Sequence, residues 1–331
     1  MIISKTPLRA SFFGGGTDFS AYYENSKLGY GTVVSTTLDM YIYIIINKKF
    51  DDRIRIVYLD NESVDNVDEV KNGIIREALK MVGIKKGIEL VCMADIPLSN
   101  QGIGLASSSA LAVGVLNALH AYKGEFVPQG VLAREACEIE INCLGQKSGI
   151  QDQYAVSYGG FNQYKFFSDG CVSIVPIVCG KDTMEKLKNN LMLFYTGITR
   201  DSRKILDEQS SIIKENNFML DDLVNTTDCA VRALYDGNID FWGTELDRTW
   251  NIKKKFASGI SNSLIDEMYN KAKKAGALGG KILGAGGGGF MLLYVPQNRQ
   301  NFVKTELKIF KNIPFSCSNE GSKIIYCNDE S

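Results

Sequence analysis

The strongest pattern along the chain is a run of β-type residues between Val33 and Tyr58. Val33 to Phe50 is rich in β-branched and aromatic side chains, and Arg53-Ile54-Arg55-Ile56-Val57-Tyr58 alternates polar with apolar positions. That pattern predicts two strands, with Asp51-Asp52 as the turn of a hairpin. Residues 64–82 read as helix and Gly87 to Ala94 as a strand. Ser107 to Tyr122 is apolar over a length that argues for a buried helix, and Pro128 suits the first turn of another, running to about Leu144. Beyond that, Leu191 to Tyr195, Phe290 to Val295 and Lys323 to Cys327 are strand-like, while 201–276 holds several amphipathic helical patterns. The second half reads as helices laid on a small sheet.

A length of 331 residues exceeds the usual single core, so two domains are expected, here 1–185 and 186–331. The composition is that of an ordinary globular chain, without repeats or low-complexity segments. A formal charge of -1 gives no whole-chain attraction to nucleic acid or to an anionic membrane. The first residues lack the apolar core of a signal peptide, and no apolar run is long enough to cross a bilayer, so a cytoplasmic protein is expected. The 8 cysteines are irregularly spaced with no Cys-x-x-Cys, which predicts free thiols.

His120 is the single histidine, in the apolar stretch Leu-Asn-Ala-Leu-His-Ala-Tyr, and reads as a helix-end residue. Its isolation removes serine or cysteine nucleophile chemistry built on histidine, and His-rich metal centres. Proton chemistry falls to carboxylates, Lys, Tyr or Cys.

Three segments remain. Pro7 to Asp18 joins Arg9 to Gly14-Gly15-Gly16-Thr17-Asp18, where consecutive glycines let backbone approach a ligand and Arg and Asp meet an anion and sugar hydroxyls; taken alone, it also reads as a tight turn with a surface ion pair. Asp95 to Ala110 carries Gly102, Gly104 and Ser107-Ser108-Ser109 straight into the apolar helix. A buried helix N-terminus offers free N–H groups to phosphate, and serine hydroxyls can donate to phosphate or ligate magnesium; a plain N-cap explains one serine. Gly279 to Phe290 contains Gly-x-Gly-x-x-Gly, but a strand rather than a helix follows it, so the dinucleotide fingerprint fails, and no Walker A sequence is present. Among the carboxylates, Asp152 sits beside a glycine turn, as active-site loop residues often do, and taken alone reads as a helix cap; Glu138 and Glu140, two apart on a helix, cannot both face one site.

In this order, Pro7–Asp18, Pro97–Ala110 and Lys281–Phe290 resemble the three motifs of the GHMP kinase family, which includes galactokinase, homoserine kinase, mevalonate kinase and phosphomevalonate kinase. The resemblance spans nearly the whole chain. Gly14 to Asp18, Gln151-Asp152-Gln153-Tyr154, Gly159 to Asn162 and Thr196 to Arg200 look like the D-glycero-D-manno-heptose 7-phosphate kinase branch. It implies an α+β chain of two domains, the first of the ribosomal protein S5 domain 2-like type and the second ferredoxin-like. It implies a phosphotransferase that uses ATP and Mg2+ on a small sugar phosphate at the anomeric hydroxyl, as a monomer or homodimer. Carried over by position, Asp152 and Arg9 are catalytic, while Gly102, Gly104, Leu105, Ala106, Ser107, Ser108 and Ser109 hold the nucleotide. Ser108 (or Ser107) and Glu140 take the metal, and Gly15, Gly16, Thr17, Asp18, Arg200, Gly286 and Gly287 meet the sugar, with Arg203 a further candidate for its phosphate. Two positions depart from the pattern: Ala106 replaces a glycine of the phosphate loop, and Ile150 stands where heptose kinases commonly have lysine. A kinase for another sugar, or a catalytically silent ATP- and sugar-binding regulator, are the alternatives.

Overall fold

The computed structural model describes residues 1–97, 103–199, 202–213 and 217–328. Among them, strands and helices alternate as β1 (Ile2–Phe13), α1 (Ser20–Tyr23), β2 (Tyr30–Lys48), β3 (Ile54–Val57), β4 (Asn61–Val64), α2 (Gly73–Val82), β5 (Ile88–Ala94), α3 (Ser107–Tyr122), α4 (Gln129–Cys137), α5 (Gln151–Tyr158), β6 (Phe161–Phe167) and β7 (Val172–Pro176). The chain continues with α6 (Lys181–Asn189), β8 (Leu191–Tyr195), α7 (Ser202–Ile213), α8 (Asn217–Tyr235), α9 (Asp240–Lys253), α10 (Ser263–Lys274), β9 (Gly279–Ile282), β10 (Phe290–Tyr294), α11 (Gln300–Glu306), β11 (Lys311–Ile313), β12 (Cys317–Ser318) and β13 (Lys323–Cys327). The result is the expected α+β architecture around two sheets.

The first sheet runs β13-β1-β2-β5-β3-β4, with β12 and β6 also on β2 and β7 on β6. Strand β2 is long enough to serve two partners, pairing Tyr30–Thr36 with β6 and Ile42–Lys48 with β5. The hairpin expected at Asp51-Asp52 does not form: β5 lies between β2 and β3, parallel to β3, and the hairpin of this region joins β3 to β4. Alternation marks a strand's two faces but carries no information about its edge partners. The helix expected over 64–82 begins only at Gly73, where the Asn72 side chain accepts from the Ile75 N–H and caps it. The helix expected to reach Leu144 ends as α4 at Cys137 and passes into a π-helical segment, Glu138–Cys143. Strands β1, β4, β6, β7, β9, β11 and β12 add to those read from the sequence.

Helix α3 is apolar all round because it is enclosed: it packs on β1 and β2 and is flanked by α2, α4 and α5. The second sheet, β11-β8-β10-β9, is antiparallel throughout, and its four strands stand in chain order fourth, first, third, second. That order, with α11 between the last two strands in sequence, is the ferredoxin-like arrangement. Residues 317–327, which sequence pattern groups with the second half, return to the first sheet, where β13 lies antiparallel to Ile2–Lys5 of β1. Trp242 of α9 pins the two halves together. It is fully buried, its indole N–H donates to the Ala230 carbonyl at 2.7 Å, and it meets Phe12, Phe13 and Phe161 edge-on at centroid distances of 5.1, 5.0 and 5.8 Å. Such aromatic pairs contribute roughly 0.5–1.5 kcal/mol each beyond burial, here at the end of the strand that carries Arg9.

Candidate functional site

A cleft of about 640 Å³ runs between the two halves, lined by Arg9, Asp18, Ser108, Glu140, Asp152 and Lys281 among others. A second cavity, about 580 Å³, is lined mainly by apolar side chains such as Phe161, Ile174, Ile177 and Leu187 and holds none of the candidate catalytic residues.

Arg9 sits on β1 between two register shifts against β2, one between Pro7 and Arg9 and one between Ser11 and Phe13. Bulges of this kind re-aim side chains and free backbone groups. Buried to 3% exposure, Arg9 donates from Nε to Asp152 Oδ1 at 2.7 Å, from Nη2 to Asp152 Oδ2 at 2.5 Å and from Nη1 to the Gly104 carbonyl at 2.8 Å. Asp152 belongs to the first turn of α5, whose N-cap Ile150 provides no side-chain bond, so the aspartate is a member of the turn rather than its cap. The two-point fork fixes both carboxylate oxygens in one plane.

At the start of α3, the N-cap is Ala106, in the left-handed region at φ 62 and without a side-chain cap bond. The N-cap residue therefore offers no side-chain bond to its helix, and among the described residues no side chain is recorded as capping the first turn of this sixteen-residue helix, whose serines line the cleft. Ser109 is buried and donates to Glu140 Oε2 at 2.7 Å; Gln153 donates to the same oxygen at 2.6 Å, and Ser108 also hydrogen-bonds this carboxylate. Burial pushes the Glu140 carboxyl above the usual carboxylate range, against these three donors. Glu138, two residues away, is exposed and binds Asn142 instead, as the helical spacing requires. Ser107 and Ser108 line the cleft with Gly104 and Ala106, while Leu105 is fully buried and turns away from it. Gly104 has φ 91, and a Cβ there would lie 2.3 Å from the Leu283 carbonyl oxygen, so the loop from one half can touch the glycine segment of the other only without a side chain.

Asp18 is 1% exposed; its Oδ1 accepts from the Gly16 N–H at 2.9 Å and its Oδ2 from Gln151 Nε2 at 2.9 Å and the Gln151 N–H at 3.3 Å. Burial raises its pKa and these donors oppose the shift. Gly15 and Gly16 line the cleft. Thr17 is fully buried, and its hydroxyl takes the Thr32 N–H at 2.9 Å and reaches the Gly14 and Thr32 carbonyls at 2.8 Å, which pins the loop from behind. Gly286 and Gly287 also lie off the cleft: Gly286 packs on Ile260, and the Gly287 N–H donates to the Ile260 carbonyl at 2.7 Å. From that third segment it is Gly284, Ala285 and Lys281 that line the cleft. Gly102 and Arg200 lie outside the described residues; Arg203 lines the cleft.

Lys281 is the residue sequence reasoning passed over as part of a glycine run. It is buried on β9 and donates to the Phe12 carbonyl at 3.0 Å, the carbonyl next to the register shift in β1. Burial pushes its amine well below the ordinary lysine value, helped by Lys253 and Arg9 and opposed by Asp18 and Asp152. Its signal in the sequence was a lone lysine opening a glycine-rich turn, which is too common to single out. His120 has no part in the cleft; it ends α3 between Glu125 and Glu135 at 2.8 and 2.9 Å. The eight cysteines are free thiols. No helix among the described residues is long and apolar enough to cross a membrane.

Models of the GHMP kinases N terminal domain and the GHMP kinases C terminal domain match residues 70–160 and 230–312. The chain is 29% identical over 342 residues to a D-glycero-alpha-D-manno-heptose 7-phosphate kinase of Campylobacter jejuni, covering 97% of this chain and 98% of that protein. It is 30% identical over 277 residues to a mevalonate kinase of Thermococcus sibiricus, covering 80% of this chain and 75% of that one. In three dimensions it is similar to a D-glycero-D-manno-heptose 1-phosphate kinase from Bacteriodes thetaiotaomicron, with TM-score 0.80 and 24% identity over 99% of this chain and 100% of the other, a likeness of fold. With both family domains matched in order, and with the cleft formed where they meet, the chain belongs to the GHMP kinase family and is a kinase.

Proposed function

We propose that the enzyme transfers a phosphoryl group from ATP to the anomeric hydroxyl of a sugar phosphate, D-glycero-D-manno-heptose 7-phosphate, giving the 1,7-bisphosphate. The observation that carries this reading is the Arg9–Asp152 fork, set in one cleft with Asp18 and the Ser108–Glu140 cluster. The near full-length similarity to the Campylobacter protein of that name supports the substrate.

In this reading the first turn of α3, with Ser107, Ser108 and the backbone N–H of Ser109, holds the donor phosphates, because N–H groups at a helix start and the helix dipole favour anions. Ser108 and Glu140 would hold magnesium. The donor set fits that ion: it offers one carboxylate and hydroxyls, and Gln153 Oε1, on the amide that bonds Glu140, is buried with no hydrogen-bond partner among the described residues. Magnesium takes one or two carboxylates and completes its shell with water and phosphate oxygens, consistent with the absence of any cluster of three acidic, His or Cys ligands among the described residues. When bound, it neutralises charge on the donor phosphates.

Asp152 accepts or orients the C1 hydroxyl proton, and Arg9 fixes its plane while offsetting negative charge at the transferring group. Much of the rate comes from holding the hydroxyl in line with the donor, which the buried Arg9 fork secures. Arg200, joined by Arg203, which stands three residues further on and lines the cleft, grips the 7-phosphate, since a guanidinium matches phosphate geometry. An ADP-release assay over a panel of sugars and sugar phosphates tests the reading. Heptose 7-phosphate is expected to give the highest kcat/KM, well above heptose. Equal efficiency on both removes the 7-phosphate contact, and ATP consumption with no acceptor in the panel removes the sugar assignment.

A further inference from the structure

Two residues that line the cleft each carry a buried polar atom with no hydrogen-bond partner among the described residues and no part in the chemistry so far: Ser11 Oγ and Gln151 Oε1. Ser11 is 4% exposed, two residues from Arg9 on β1, and Gln151 precedes Asp152 on α5. Both residues line the cleft, and they stand on the same two elements that bring Arg9 and Asp152 together.

Leaving a buried polar atom unpaired costs about 1–3 kcal/mol, so folded chains rarely keep one without a use. Ser11 could be alanine with no loss of a hydrogen bond, since its hydroxyl makes none among the described residues. Gln151 is more constrained. Its Nε2 donates to Asp18 Oδ2 at 2.9 Å, which orients the amide and leaves Oε1 as a fixed acceptor. Asp18 is in turn held by Gly16 and by the Gln151 backbone N–H, so the amide cannot turn over without breaking that contact. A Cβ on Gly149 would fall 1.9 Å from Asp18 Oδ2, so the backbone closes against the carboxylate on its other side.

We propose that Ser11 and Gln151 read the hydroxyl groups of the acceptor, Gln151 Oε1 accepting from one hydroxyl and Ser11 Oγ pairing with a second, beside the hydroxyl that Asp152 orients. This rests on the cleft being a kinase acceptor site and deepens the sugar assignment. A polyhydroxylated acceptor satisfies both orphaned atoms at once. An acceptor lacking either hydroxyl leaves a buried atom unpaired, and that penalty makes hydrogen-bonding sites more selective than apolar ones. Ser11 and Gln151 are specificity residues in this account, and Asp18 is the positioning residue that sets the Gln151 amide.

The test uses the full chain. A panel of sugars, sugar phosphates and mevalonate first identifies the acceptor, so the sugar reading can fail by itself: turnover of mevalonate alone would remove it, and the variants are then compared on mevalonate. Ser11→Ala is expected to keep Tm at or above wild type while acceptor kcat/KM drops on the order of ten- to hundredfold and KM for ATP stays within twofold. Gln151→Met is expected to show the same kinetic split but with a lower Tm, since it also removes the donor to Asp18, and Ser11→Cys, close in shape, guards against a packing artefact. Acceptors lacking one hydroxyl give the second readout. The hydroxyl read by Ser11 is the one whose removal costs wild type but costs Ser11→Ala little. Acceptor kcat/KM within twofold of wild type in both Ser11→Ala and Gln151→Met overturns the proposal. So does a fall in Tm of several degrees for Ser11→Ala, which would give its hydroxyl a folding role.

Discussion

Arg9 and Asp152 stand 143 residues apart in the chain and meet through two hydrogen bonds of 2.7 and 2.5 Å, with the third Arg9 contact made to the Gly104 carbonyl at 2.8 Å. One guanidinium thus ties the strand of the first motif, the loop of the second and the helix that carries the aspartate. Breaking it disturbs the reacting group and the phosphate loop together.

Asp152→Asn keeps the size of the side chain and one acceptor for Arg9 but removes the carboxylate. Turnover is expected to fall on the order of 10² to 10⁴, with KM for ATP little changed, as measured by steady-state ADP release. Arg9→Lys keeps the charge and loses the fork, so it should also lower kcat. Near wild-type kcat in Asp152→Asn would remove the aspartate from the reaction.

Glu140→Gln should abolish the extra thermal stability that magnesium adds to the nucleotide-bound enzyme. The wild-type carboxylate is the one acidic side chain in a cluster with Ser108, Ser109 and Gln153, and a ligand bound only by the folded state raises Tm by mass action. Thermal melts with ATP, with and without EDTA, measure it. A magnesium increment in Glu140→Gln equal to that of wild type would place the ion elsewhere.

Asp18 sets a pH slope on stability. Its folded pKa is raised by burial, so its contribution is fully present below the unfolded value and is lost as pH rises through the folded one. Asp18→Asn carries no such term. The stability of this variant relative to wild type should therefore improve steadily from about pH 4 upward, where an unfolded aspartate titrates. Urea denaturation at several pH values checks it; a flat or falling difference would mean that the Gly16 and Gln151 donors outweigh burial.

Ala106 occupies a left-handed backbone conformation at φ 62, where a Cβ costs roughly 1–2 kcal/mol and glycine costs nothing. Ala106→Gly is therefore expected to leave stability within about 1 kcal/mol of wild type, relief of strain offsetting the lost methyl and the freer unfolded chain. The same exchange at Ala112, buried in the interior of α3, should cost at least about 1 kcal/mol more. Chemical denaturation of the two variants decides, and equal losses would show that the loop is unstrained.

The sequence by itself determined the elements whose pattern is local. The buried helix Ser107–Tyr122 was legible because an apolar run of that length has few other solutions, and β8, β10 and β13 because short apolar or alternating runs read as strands. Order along the chain fixed the family through its three motifs, and a single histidine narrowed the chemistry before any fold was known. Pairing was decided only in three dimensions. Strand β5 inserts between β2 and β3, and β13 returns to β1, because strand neighbours depend on long-range burial that no period of two encodes. The site divided the same way. Arg9, Asp18, Glu140 and Asp152 were named from motif and residue type, and the fold gathers them in one cleft. Thr17, Gly286 and Gly287 face away from that cleft, while Lys281, Ser11 and Gln151 line it. Which side of a loop a residue presents is set by bulges and by backbone contacts across the two halves, such as Gly104 on Leu283, and sequence spacing says nothing about either.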